Sequence, residues 1–469
     1  MKHTIYSLLT LLVLVTGCTK KFLDVEDNSV IIKEQYIKNL TTTQEYLNGV
    51  YIVLAKDFFQ SNNLVYPEIS ADNVKPVTGG TTLIDHYNWQ QTSVSTNAVF
   101  SAWQYGYQVV RSCSFVIDKT LEFQAEDPAR SKQIRAEAIC LRALIHFTLV
   151  NMYAQSYSYS PGATHDGIPY VTSSDWTKQE QRVSTNEVYT NLIKELTEAQ
   201  SLFTETGIKS LMMNKMAAKA LLARIYLYME NWTKAKELAV EVATLVPLMT
   251  GSNYPGKLFT LQETEAIFQI APAFPNINGS NYNTNYPGRY YNNKGSTVFL
   301  ASADIATLLR QNPQDVRRNW LKSGGAGRDT VIKFPVDIIP GFSAIAGSYY
   351  PTLLRSSEMF LIAAEASAKL GEDFDARIYL DAIRKRADPT AVSSTAGSTA
   401  LLDLIYNERR KELCFEGTRM FDIQRWKQPV KRSDPLTPAA AMLAYPNNKA
   451  IVPIPPVDVQ KGIRQNPSY

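Results

Sequence analysis

Histidine and cysteine are both scarce in this chain, with four of each among 469 residues. No HExxH or CxxC spacing occurs, which leaves little material for a metal centre or a nucleophile–base pair. His146 lies in an apolar helical pattern and reads as core. His86 beside Asp85 and His165 beside Asp166 fall in loops and form no ligand spacing. Cys113, Cys140 and Cys414 also sit in apolar helical patterns, the setting of buried free thiols rather than of a disulfide framework. GxSxG, GxxxxGK[ST] and GxGxxG are absent as well. An excess of one charge is lacking too: 48 Lys and Arg face 44 Asp and Glu, and the net +4 is dispersed. That balance excludes the electrostatic footprint of a nucleic-acid binder. Beyond the N-terminal segment, no apolar run is long enough to cross a bilayer. What the chain does have is rings: 26 Tyr, 18 Phe and 6 Trp, with many of the tyrosines in Asn-, Gly- and Pro-rich stretches. A tyrosine in such a setting is more often a contact residue than a core residue.

The N-terminus is an export signal. Lys2 and His3 precede an apolar run over residues 5–15, which is signal-peptide length, and the run ends in Val15-Thr16-Gly17-Cys18. Small residues before a cysteine at the end of such a run match the bacterial lipobox, in which the thiol is acylated and the preceding peptide removed. Residues 1–17 are therefore expected to be the signal peptide, Cys18 the lipidated N-terminus, and residues 18–40 a polar tether. Each buried acyl methylene contributes about 0.8 kcal/mol, so several chains hold a protein firmly to a membrane.

The body of the chain, residues 41–469, reads as one unit dominated by α-helix. Helices are expected over residues 41–59, 98–121, from Asp127-Pro128 to about Met152, and over 187–203 behind a Thr185 or Asn186 cap. The segment from Ile134 to Met152 carries an apolar stripe at three- and four-residue spacing. Residues 213–246 read as a helical hairpin whose Ala223, Tyr226, Ala235 and Pro247 fall at tetratricopeptide positions; residues 357–387 repeat the plan. Stacked helix pairs, about 41–250 and 351–430, would then form a scaffold. Two regions differ in texture. Residues 61–96 are irregular, and residues 251–350 form an inserted lobe broken by Pro, Gly and Asn with short strands at 267–270 and 331–334. A Ser/Thr/Gly link covers 393–399, and a Pro-rich extended tail covers 431–469.

Residues 407–426, NERRKELCFEGTRMFDIQRW, interleave nine charges with large apolar side chains. Too aromatic for a solvated face and too charged for an ordinary core, the stretch predicts a buried, mutually satisfied ion-pair network around a Gly417 break. Helical spacing pairs Arg409 with Glu412, Arg419 with Asp422, and Asp422 with Arg425.

The candidate ligand surface is aromatic. From Asn278 to Asn293, rings alternate with amides; Tyr282, Tyr286, Arg289, Tyr290 and Tyr291 stand out, and Tyr66, Trp89 and Tyr349 could join them. Flat rings stack on the apolar face of a sugar while Asn and Arg hydrogen-bond its hydroxyls. A second reading stands beside this one, in which the same rings fill a satellite core under the lobe.

Several segments together resemble the SusD/RagB family of nutrient-binding outer-membrane lipoproteins. They are the lipobox, IRAEAICLRALIHFTLVNMYAQSY (residues 134–157), GIPYV (167–171), ALLARIYLYMENWTKA (220–235), LRSSEMFLIAAEASAKLG (354–371), ERRKELCFEGTRMFDIQRW (408–426), and the PIPP and QNPSY of the tail. The resemblance covers nearly the whole mature chain. It implies a right-handed tetratricopeptide-like helical superhelix with an inserted loop-rich lobe. It further implies a non-enzymatic protein anchored through Cys18 to the cell outer membrane, facing outward. There it would capture oligosaccharides, or peptides, as the lid of a TonB-dependent SusC-like transporter. No cofactor is implied, and room is left for a structural calcium ion. Thr19, Lys20 and Lys21 follow Cys18 where an acidic run often accompanies surface export. Two other readings of the residues are a lipid-anchored helical glycan hydrolase and a tetratricopeptide-type envelope adaptor.

Overall fold

A computed structural model describes residues 36–59, 61–93, 97–271, 288–291, 297–325, 327–335 and 349–469. The first helix, α1 (Leu40–Val53), starts at a capping box: Asn39 accepts from Thr42 N, and the Thr42 hydroxyl accepts from the Asn39 backbone. One π-helical turn (Leu54–Phe58) extends it. Next comes α2 (Ser61–Ile69), a helix where sequence predicts irregular chain. Its Ser-Asn-Asn start and internal Pro67 hide it from propensity. Burial of Val65, Tyr66 and Ile69 holds it in place. β1 (Val74–Pro76) and the single turn α3 (Ile84–Tyr87) complete this region.

Two 26-residue helices follow, α4 (Asn97–Glu122) and α5 (Pro128–Tyr153). Asp127 caps α5 through Ala129 N and Arg130 N, with Pro128 in the first turn where its missing N–H costs nothing. The stripe expected on α5 widens into burial on every side from Ala136 to Phe147, because α1, α4 and α6 all pack on it. The charge it carries inward, Arg142, is met by a bidentate bond to Glu195.

A short antiparallel pair, β2 (Asp166–Pro169) and β3 (Arg182–Ser184), leads into α6 (Thr185–Leu202). The cap there is Ser184, one residue before the position expected, accepting from Glu187 N. The hairpin α7 (Lys215–Tyr228) and α8 (Trp232–Leu245) begins at Asn214 and Asn231, each accepting from a backbone N–H three residues on. Then the chain leaves the helical stack. β4 (Ala266–Gln269), α9 (Gly288–Tyr291), β5 (Phe299–Ala301), α10 (Ala303–Arg310), β6 (Leu321–Ser323), β7 (Asp329–Val331) and β8 (Thr352–Arg355) make up the lobe. The lobe is not self-contained. Its β5, β7 and β6 form one antiparallel sheet with β1, in the order β1-β5-β7-β6, with Val74 opposite Ala301 and Pro76 opposite Phe299.

The stack resumes with α11 (Ser356–Lys369), α12 (Asp373–Ala387), α13 (Ser398–Leu413) and α14 (Arg419–Arg425). Although the lobe lies between them in sequence, α8 packs directly on α11, so the excursion leaves the scaffold continuous. Successive contacts α4–α5–α6–α7–α8–α11–α12 make the helix-on-helix, tetratricopeptide-like architecture that sequence predicts. The tail carries a two-stranded ladder, β9 (Val430–Lys431) with β10 (Met442–Leu443), and a last turn α15 (Pro456–Gln460). The main apolar cluster runs from Leu40 to Ile463, and three smaller ones serve α13 and its neighbours and the packing of α14 on the β9–β10 ladder.

The charged stretch is buried as expected, but most of its partners are distant in sequence. Glu412 accepts from Arg355 (2.7 Å), Arg386 (2.7 Å), Arg317 (3.1 Å) and the Tyr254 hydroxyl (2.8 Å). Arg355 also binds Glu265 and Glu416; Arg317 also binds Asp315 and Glu408; Lys333 reaches Glu416. Of the three local pairs, only Asp422–Arg425 forms (2.9 Å). Arg409 turns instead to Asp422 and Glu358, and Arg419 to Asp72. A bidentate or doubly shared carboxylate on another element offers an arginine fork more than a neighbour on its own helix does. Gly417 supplies the break at φ +83°, and a Cβ there would lie 2.4 Å from the Leu64 carbonyl. In place of a side-chain cap of its own, α14 borrows one: Glu68 of α2 accepts from Gly417 N (3.0 Å), Thr418 N (3.2 Å) and Arg419 N (3.4 Å).

Candidate functional site

The lobe is built on paired strands that bring residues near 271 and 349 together. β4 runs antiparallel to β8, and the pairing continues as Ile270 N to Pro351 O (2.9 Å) and Tyr350 N to Phe259 O (2.8 Å). Chain departing after residue 271 therefore lies beside chain arriving at residue 349. α9 is tied to the start of β5 by Val298 N to Tyr290 O (2.9 Å), and Phe334 follows β7.

The side chains at these junctions close into a ring cluster. Phe334 stacks on Tyr291 (centroids 6.0 Å apart, planes at 15°), meets Tyr349 edge-on at 5.6 Å and touches Phe259 at 5.0 Å. Tyr291 leans on Phe415 (5.7 Å), and Tyr290 on Phe299 (6.3 Å). Lys333 lies over the Trp320 ring at 4.0 Å, donates to the carbonyls of Glu412 and Cys414, and so ties the cluster to the buried ion pairs. Burial pushes the Tyr291 and Tyr349 phenols well above their ordinary range, so both stay neutral.

Tyr290, Tyr291 and Tyr349, expected on the ligand surface, are buried and join the main apolar cluster. Tyr66 is also interior, edge-on to His86 at 5.2 Å. Trp89 is interior too. Its Nε1 donates to Ser70 O (2.9 Å), and the Arg432 guanidinium is sandwiched between it (4.2 Å) and Tyr87 (3.8 Å). Large rings beside apolar neighbours bury because each removes about 150–250 Å² of surface from water, about 4–6 kcal/mol at the usual area coefficient. Tyr282, Tyr286 and Cys18 lie outside the described residues, as does the Arg289 side chain.

The thiols and His146 follow the expected pattern, whereas His86, expected in a loop, sits in the helical turn α3. His86 and His146 are buried, and burial lowers both, His86 to about 4. His146 accepts from Val171 N and stacks on Tyr170. His165 is held between Ser160 and the Gln155 carbonyl. Cys113, Cys140 and Cys414 are free and buried. Among the described residues, no group of His, Cys, Asp and Glu is arranged to hold a metal, and no helix is long and apolar enough to cross a membrane. Sequence reasoning missed Arg317, Lys333, Arg355 and Arg386 as partners of the 407–426 stretch. Each is one basic residue among many, and only the fold collects them.

Two family models match this chain: one described as "Starch-binding associating with outer membrane" over residues 21–227, and the SusD family over residues 333–469. The chain belongs to the SusD family. Among its relatives, SusD-like protein P2 of Formosa agariphila is 23% identical, over 91% of each chain. A crystal structure of a SusD superfamily protein from Bacteroides thetaiotaomicron superposes with a TM-score of 0.82 at 25% identity, covering 92% of this chain and 100% of that one. A SusD-like protein described as laminarin-binding shares the fold at a TM-score of 0.71 and 21% identity, over 92% of this chain and 100% of that one. Members of the SusD family associate with the outer membrane.

Proposed function

We propose that this SusD-family protein is a glycan receptor held to the outer membrane by acylated Cys18. It captures neutral oligosaccharides with its loop lobe and passes them, without cleaving them, to a TonB-dependent SusC-like transporter that it covers. The observation that carries this reading is the convergence of the feet of segments 272–287 and 336–348 on one rigid ring cluster. The starch-binding description of the matched family model and the laminarin-binding neighbour both point to sugar. Tyr282, Tyr286 and Arg289 are the contacts we assign.

Affinity electrophoresis of the non-acylated full chain (Cys18→Ser) through gels containing laminarin or starch tests it. Retardation by a glycan, reduced in Tyr282→Ala/Tyr286→Ala at unchanged melting temperature, is expected. Free migration in every glycan gel, or release of reducing ends from the polymer, would overturn it.

A further inference from the structure

A pocket of about 360 Å³ opens between α1, α5 and the connector over residues 203–214 that joins α6 to α7. Its volume falls in the range of small-molecule sites, about 300–1,000 Å³. Its inner wall carries Glu137 of α5, a side chain only 4% exposed. Tyr51 Oη donates to Glu137 Oε2 (3.2 Å), and Gln133 Nε2 donates to Glu137 Oε1 (3.0 Å). Gln133 cannot turn round, because its Oε1 accepts from Thr204 N and Glu205 N, both at 3.2 Å. The Tyr51 oxygen in turn accepts from Met213 N (2.9 Å). A donor held on each oxygen is the setting of an ionised carboxylate.

What this carboxylate lacks is a charge partner. The titratable and charged groups around it are Tyr51 from α1, Arg130 and Cys140 from α5, and Glu205 and Lys209 from the connector. Lys209 is engaged by Glu205 at 2.6 Å, and its side chain stands 62% exposed. Arg130 is exposed, donates to Thr41 Oγ1 (3.1 Å), and lies two helical turns from Glu137, about 10 Å along the axis. At that separation water and salt screen most of its charge. Among the described residues Glu137 thus forms no ion pair, whereas Arg142, one turn further along α5, is met by Glu195. Burial pushes the Glu137 carboxyl up to about 7; Gln133 and Tyr51 pull it down, Glu205 adds to the rise, and Lys209 offsets it. An unmatched charge in such a place is costly, and a cation set against it removes the cost.

The walls select the kind of cation. Ile134, Met212 and Met213 lay carbon and sulfur surface beside the carboxylate. A metal ion of the oxygen-loving kind needs several oxygen ligands, and among the described residues no group of His, Cys, Asp and Glu is arranged to supply them. An ammonium on a small carbon frame suits both features: its N–H groups meet the carboxylate, and its carbons meet the thioethers. We propose that this pocket binds a small organic molecule through a primary ammonium group, with Glu137 as the anionic partner. The site belongs to the helical scaffold, and it stands or falls apart from the glycan-receptor reading.

Titration calorimetry of the Cys18→Ser full chain with ethanolamine and glucosamine tests it, with glucose and N-acetylglucosamine as uncharged counterparts. At least one amine should bind, and neither uncharged sugar should. Tighter binding of glucosamine would assign the ammonium to amino sugars, and tighter binding of ethanolamine to simple amines. Affinity should rise about fivefold from pH 6 to pH 7 as Glu137 ionises. Binding at pH 6 should release nearly one proton, read by repeating the titration in buffers of different ionisation heat. Hydrogen–deuterium exchange over residues 204–213 should slow with the bound amine. Glu137→Gln should weaken binding about ten- to hundredfold without lowering the melting temperature. Failure of both amines to bind, equal binding of N-acetylglucosamine, affinity undiminished in Glu137→Gln, or binding at pH 6 with no proton released would each overturn the proposal. The last of these is measured on the unsubstituted pocket, so it decides even where Glu137→Gln does not fold.

Discussion

Replacing Glu412 by alanine should be among the most damaging single changes in this protein. Its carboxylate is fully buried and takes four hydrogen bonds, three of them from guanidinium groups. Burial by itself would push the Glu412 carboxyl up. Arg386, Arg355 and Arg317 reverse this and hold it well below the usual carboxylate range. The surrounding network is balanced: Arg317, Lys333, Arg355, Arg386 and Lys411 face Glu265, Asp315, Glu408, Glu412 and Glu416. Glu412→Ala leaves one uncompensated cation in the interior and a vacancy at the centre. Breaking a buried pair from one side costs about 3–5 kcal/mol. At about 2 °C per kcal/mol for a large chain, the melting midpoint should fall by roughly 6–10 °C. Far-UV circular dichroism melts and urea titrations at pH 7 read this directly. Removing Arg386 as well restores the balance, so the double variant should lose less than the sum of the singles, with a coupling of about 1–3 kcal/mol. A midpoint within about 2 °C of wild type for Glu412→Ala, or strict additivity in the double variant, would refute the network as a cooperative unit.

Three further outcomes follow from the same buried charges and close contacts. Burial raises the Asp72 carboxyl, but Arg419 and Arg410 overcome this and lower it to about 2. Because the folded value lies below the unfolded one, the stability Asp72 contributes is present above about pH 4 and lost as pH falls towards 2. Asp72→Asn should therefore cost about 2 kcal/mol in urea titrations at pH 7 and almost nothing near pH 2; an equal cost at both values would sink the assignment. Glu263 has the opposite sign, since burial and then Glu265 push its carboxyl up to about 8. The folded chain keeps a proton that the unfolded chain releases, so stability is full below about pH 4.5 and falls as pH rises to 8. Glu263→Gln should gain on wild type by about 1.4 kcal/mol per pH unit across that window, and a flat difference would show that the carboxyl is ionised in the fold. Gly417→Ala must place a Cβ 2.4 Å from the Leu64 carbonyl at φ +83°. It should cost about 3 kcal/mol, and an unchanged melt would mean that the turn can draw away from α2.

The helical scaffold was legible because its signals are local. Asp127-Pro128 caps the periodic pattern that opens α5, and the small and aromatic spacing of Ala223, Tyr226 and Ala235 marks the α7–α8 hairpin. What could not be read depends on pieces distant in sequence. α2 owes its existence to burial, and its Ser-Asn-Asn-Leu-Val-Tyr-Pro text gives no helical period. β1 becomes a strand only because β5, more than two hundred residues later, lies beside it. The same gap explains the aromatic residues. Composition marks Tyr66, Trp89, Tyr290, Tyr291 and Tyr349 as rings in loop-like text, but whether a ring faces water or a neighbour depends on what the fold packs against it.

The cap that Glu68 lends to α14 bridges 349 residues of chain. Polypeptide leaves the ribosome N-terminus first, so α2 must wait, its carboxylate unanswered, until nearly the whole chain has arrived. Asp72 waits likewise for Arg419, and Arg355 for Glu412 and Glu416. A product cut short before residue 417 would carry stranded ions in its interior and would resemble an unfinished protein to any protease that met it. The late clasp thereby makes compactness a certificate of completeness.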